Sequence, residues 1–97
     1  YLIERDNQVG TAAKTKILTR VALADLKVGE LGKELPVVKK EIVRDLIPDL
    51  AMGHGYILDK VEGFTIDAAG NGFVVTDNDG VDNSSGETLF WTVGAVQ

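Results

Sequence analysis

Apolar residues in this chain come in short, largely β-branched runs that Gly, Asn and Asp cut apart, the pattern of strands joined by turns. Tyr1 to Arg5 is β-prone and runs into Asp6-Asn7-Gln8-Val9-Gly10, a turn composition. Thr15 to Leu23 alternates, with Ile17, Thr19, Val21 and Leu23 on one side and Lys16, Leu18, Arg20 and Ala22 on the other. Apolar residues on both sides predict a strand partly buried on both faces. Ala24 to Leu35 carries Gly29 and Gly32 among charges and reads as a connection.

The stretch from Pro36 to Ile47 supports two readings. Val38, Ile42, Val43, Leu46 and Leu50 fall at helical spacing, and Pro36 could open a helix. Against that, Val37, Val38, Ile42, Val43 and Ile47 are β-branched, and Pro48 ends the run after one strand length. The pattern leaves both open. Pro48 to Leu58 reads as a loop with room for a short helical turn, and it carries Gly53-His54-Gly55.

The last third is plainer. Gly63 to Asp67 is a short strand, Ala68-Ala69-Gly70-Asn71 a tight turn, and Gly72 to Thr76 the returning strand. Asn71-Gly72 is the pair expected at positive φ. Asp77 to Gly86 is a polar loop, and Thr88 to Val93 a sixth strand with Leu89, Trp91 and Val93 on one face.

A repeat lies beneath these segments. Leu2 to Asn7 matches Phe73 to Asn78 at an offset of 71, with Asp-Asn identical, and Ile17 to Val21 matches Leu89 to Val93 at an offset of 72. Each copy reads as apolar strand, Asp-Asn, polar loop, apolar strand. A unit that cannot bury its own faces and is repeated is the mark of solenoids and propellers.

Composition narrows the class. The 97 residues suit one small domain, 44% apolar and 26% charged, within ordinary globular usage. No cysteine is present, which removes disulfides and thiolate metal sites. A net charge of −5 disfavours nucleic acid and anionic membrane surfaces as partners. No apolar run reaches the roughly 20 residues of a membrane span. The chain opens in mid-pattern at Tyr1-Leu2-Ile3, which gives the expectation of a mature or truncated piece.

Glu4-Arg5-Asp6-Asn7, Val61-Glu62-Gly63-Phe64, Thr76-Asp77-Asn78-Asp79-Gly80 and Glu87-Thr88-Leu89-Phe90 together resemble the C-terminal part of the esterase-like domain of phytase-like proteins. That resemblance implies a bacterial β-propeller, periplasmic or extracellular, and a link to ester or phosphoester hydrolysis. It implies an all-β segment of about two incomplete four-stranded antiparallel blades. Residues 1–47 would end one blade with three strands (1–5, 15–23 and 38–46). Residues 61–97 would begin the next with three more (63–67, 72–77 and 87–94), and 48–60 would connect them. The missing strands would come from the remainder of the propeller or from another protein chain. On this scheme 38–46 is strand rather than helix.

The chemistry on offer is carboxylate chemistry. Asp77, Asn78, Asp79, Asp82, Asn83 and Glu87 form the richest run of oxygen donors, the kind calcium takes six to eight of. An EF-hand is excluded, because position twelve counted from Asp77 is Thr88 and no Gly occupies position six. On the blade scheme Glu62 would point into a propeller channel beside Asp77 and Asn78, with Glu4, Asp6 and Asn7 as the neighbouring set. Glu62, Asp77, Asn78 and Asp79 are therefore the expected metal ligands, with calcium as the metal. The competing reading is structural: Asp and Asn close strand ends, and Glu62 accepts hydrogen bonds between blades.

Nucleophilic hydrolysis has little to stand on. Ser84 and Ser85 are the only serines and sit in no Gly-x-Ser-x-Gly, while His54 is the only histidine. Arg5, Arg20 and Arg44 are scattered on strands, and the Arg-His-Gly signature of histidine phosphatases is absent. Two functions remain: part of a metal-supported phosphoester or ester hydrolase, or a non-catalytic propeller module for ligand binding or scaffolding.

Overall fold

The computed structural model describes residues 1–54, 60–77 and 87–97. Within them the chain is all-β in architecture, with two three-stranded antiparallel sheets. The first holds β1 (Leu2–Arg5), β2 (Lys16–Arg20) and β3 (Glu41–Asp45) in that order; the second holds β4 (Lys60–Ile66), β5 (Asn71–Asp77) and β6 (Phe90–Ala95). Short 3-10 turns at Gly10–Ala12 and Leu23–Asp25 follow β1 and β2. A two-turn helix, α1 (Ile47–His54), follows β3.

The ambiguous stretch is resolved as strand over Glu41–Asp45, where β-branched Ile42 pairs with Thr19 of β2. The second strand is shorter than its alternation predicts, since it gives way to the 3-10 turn at Leu23. The stretch from 48, read as a loop with room for a short helical turn, begins as helix. The Leu50 N–H donates to the Leu46 carbonyl at 2.9 Å, and Asp45 Oδ1 accepts from the Ile47 N–H at 3.0 Å. Pro48 sits in the first turn, where a missing N–H costs nothing, and Leu46 and Leu50, four apart, are both buried.

The core lies between the sheets. Leu18 of β2, Leu46 and Leu50 meet Val61, Val74, Val93 and Val96 of the second sheet, with Ile3, Val43, Phe64, Ile66 and Trp91 packed around them. The β1–β2 pairing is regular, and each of the other three carries one extra residue: Val43 between Ile42 and Arg44, Glu62 between Val61 and Gly63, and Val93 between Thr92 and Gly94. Bulges of this kind twist the strand and re-aim the side chain next to them.

The β4–β5 turn spans Asp67–Gly70, one residue ahead of the expected Ala68–Asn71. The Gly70 N–H donates to the Asp67 carbonyl at 3.0 Å, and it is Gly70 that takes positive φ, at 87°. Asp67 Oδ1 accepts from the Ala69 and Asn71 N–H groups, both at 2.9 Å. Gly72 lies within β5 for a different reason. A Cβ there would stand 2.9 Å from Phe64 Cε2, 2.9 Å from Val93 Cγ2 and 3.0 Å from Val96 Cγ1.

Strand pairing also corrects the repeat. A uniform shift of 72 carries Leu2↔Thr19 onto Val74↔Trp91, and Ile3↔Leu18 onto Val75↔Phe90. The first strand was offset by 71 on sequence likeness, one residue short. In a strand, one residue exchanges the two faces. With the correct shift, Tyr1, Ile3 and Leu18, which face the second sheet, correspond to Phe73, Val75 and Phe90, which face away from the first. The two sheets therefore stack in the same sense, front of one on back of the next.

Candidate functional site

The charged side chains of the strand ends are mostly tied to one another. Arg5, facing the second sheet from the end of β1, donates Nη1 to Asn7 Oδ1 at 2.6 Å and Nη2 to Glu62 Oε1. The β4 bulge explains how Glu62 reaches across: the extra residue turns its carboxylate toward the first sheet. Arg44 makes a second bridge. It grips Asp49 of α1 with Nε and Nη2, both at 2.7 Å, and gives Nη1 to the Val93 carbonyl at 3.1 Å, at the β6 bulge. The Asp49 carboxylate holds the Arg44 guanidinium above its ordinary pKa.

Asp6 closes the β1–β2 hairpin. Its Oδ2 accepts from the Lys14 and Thr15 N–H groups at 2.8 Å each, and its Oδ1 from the Gln8 N–H at 3.2 Å. Lys16 Nζ lies 3.0 Å from Oδ1 and donates to the Asp6 backbone oxygen at 2.8 Å. Lys16 is 0% exposed, so this pair answers a buried cation. The backbone amides of Lys14 and Thr15, and then Lys16, hold the Asp6 carboxyl far below the usual carboxylate range. Glu4, on the other face, bonds Lys40 Nζ and the Thr19 hydroxyl, at 2.9 Å for the latter. Lys40 first and Thr19 second lower its pKa.

Glu4, Asp6 and Asn7 are thus fully engaged in local ties and leave no converging oxygen set. Glu62 is engaged with Arg5. Asp77 differs. It ends β5 at a position of the face turned away from the first sheet, is exposed, and makes no side-chain hydrogen bond or ion pair among the described residues. Glu62 and Asp77 consequently serve opposite faces of the second sheet. Asn78 and Asp79, with Asp82, Asn83, Ser84 and Ser85, lie outside the described residues. His54 ends α1.

Calcium asks for six to eight oxygens. Among the described residues no three His, Cys, Asp or Glu side chains gather as a metal site would need. Glu62 and Asp77 alone do not fit a calcium ion, since one is neutralised by Arg5 and the other faces elsewhere.

Sequence reading missed Arg44, Lys16 and Lys40 as partners. Lys16 at an alternating strand position gave a signal, because a lysine that must be buried needs a nearby carboxylate. Among the described residues no helix is long and apolar enough to cross a membrane.

No curated protein and no solved structure matches the chain. A family model does: "Phytase-like: Esterase-like activity of phytase" matches residues 1–80. That span takes in the whole first sheet, the Arg5–Glu62 bridge and the β4–β5 hairpin through Asp77. On that match the chain belongs to the phytase-like family named for the esterase-like activity of phytase.

Proposed function

We propose that this chain is a segment of a β-propeller, two incomplete blades of it, within a metal-supported phosphoester or ester hydrolase. The family match supports the hydrolase class, and the repeated front-on-back stacking of two antiparallel sheets supports the ring. The remainder of the propeller, or another protein chain, would supply the strands beyond β1 and β6. A periplasmic or extracellular location goes with this reading.

The observation that carries the metal reading is Asp77. Where Glu4, Asp6, Asp49 and Glu62 each have a cation, Asp77 has none among the described residues, and it opens the Asp77-Asn78-Asp79 run. That run would hold calcium, which when bound would polarise a phosphoryl or carbonyl oxygen. Glu62 could join only by leaving Arg5. The chain's own contribution is to hold oxygens at the end of β5, with the Arg5–Glu62 bridge fixing the neighbouring strand.

Calcium titration of the melting temperature tests this. At a hundredfold excess over Kd, a single site adds about 2.7 kcal/mol, and Asp77→Asn should remove that gain while leaving the metal-free melting point in place. No calcium dependence in the parent chain would overturn the metal reading. A second reading, a non-catalytic module, is favoured by the fact that Glu4, Asp6 and Glu62 are all consumed in structural ties. It predicts phosphate-ester hydrolysis by the full-length protein unchanged on Asp77→Asn.

A further inference from the structure

We draw no further inference here: the strongest candidate, the apolar arm between β2 and β3 that exposes Leu23, Val28, Leu31 and Val37, is an unpartnered surface, and nothing in the structure shows what covers it.

Discussion

Gly72→Ala adds a single methyl group where β4, β6 and the residue after β6 converge on β5. Gly72 is buried in β5, and the new Cβ would meet Phe64 Cε2 and Val93 Cγ2 at 2.9 Å and Val96 Cγ1 at 3.0 Å. Ordinary contact between such carbons starts near 3.5 Å. Three neighbours must therefore each move by about half an ångström, and two of them, Val93 and Val96, belong to the buried cluster. Overpacking of this sort costs about 1–3 kcal/mol. At roughly 0.2 kcal/mol/K of unfolding entropy for a chain this size, the melting temperature should drop about 5–15 °C. Thermal unfolding followed by circular dichroism reads this directly. Val96→Ala removes one of the three neighbours, so Gly72→Ala combined with Val96→Ala should cost less than the two single losses added together. A Gly72→Ala protein that melts within about 2 °C of the parent would show that the strands are not this close, and the packing around β5 would have to be redrawn.

Three further outcomes follow from the same contacts. Leu18→Ala empties the centre of the inter-sheet core, where Leu18 is fully buried, and should lower stability by about 2–5 kcal/mol in denaturant unfolding; a loss under 1 kcal/mol would place the core elsewhere. Lys16→Met removes a fully buried ammonium, yet Asp6 keeps its three backbone N–H donors, so no charge is orphaned and stability should change by less than about 1 kcal/mol. A drop several times larger would mean that the ammonium itself holds the hairpin. Asp6, Glu4 and Asp67 all have carboxyl pKa values lowered in the folded chain, by the Lys14 amide, by Lys40 and by the Asn71 amide respectively. Lowered values mean stability that is complete above the unfolded pKa near 4 and drains away as pH falls further. The melting temperature should fall steeply below pH 4, and Asp6→Asn should flatten that fall; an unchanged slope in the variant would refute the assignment.

The fold was readable where local pattern and long-range pairing agree. Alternation located β2 within Thr15 to Leu23, partly buried on both faces, and β-prone composition between turn residues located the strands at 1–5 and 72–76. Strand ends were less legible. β6 begins at Phe90 rather than Thr88 and runs to Ala95, since the bulge at Val93 with the positive-φ Gly94 lets pairing continue past the point where alternation breaks. Helix α1 was legible only as room for a short helical turn. Its apolar repeats, Leu46 with Leu50 and Ile47 with Ala51, each span one turn, too short to outweigh Pro48, and the cap from Asp45 comes from the preceding strand. The β4–β5 turn chose Gly70 over Asn71-Gly72 because Gly72 was already committed to close packing against Phe64 and Val96.

The candidate site shows how identity between repeats can mislead. The twin Asp-Asn pairs invited a match of Asp6 with Asp77, and so two like carboxylates facing one channel. Pairing places Asp6 opposite Asn78 in the repeat, Lys16 opposite Thr88 and Arg5 opposite Asp77. The Asp6–Lys16 pair of the first copy thus corresponds to Asn and Thr in the second: where the carboxylate is absent, so is the lysine that would be buried beside it. That joint loss is what a structural tie looks like, and it is why Asp6 belongs to the hairpin rather than to a metal. Arg5 is a separate case. In the first copy the position is met across the interface by Glu62 of the next sheet. In the second copy the same position is acidic and exposed, so a surface that buries it has to bring a positive charge to Asp77, either a basic side chain or a cation. The sign of the charge at this one position separates the scaffold reading from the metal reading. A basic side chain there would satisfy Asp77 as Arg5 satisfies Glu62, and only its absence would leave the carboxylate free to hold calcium.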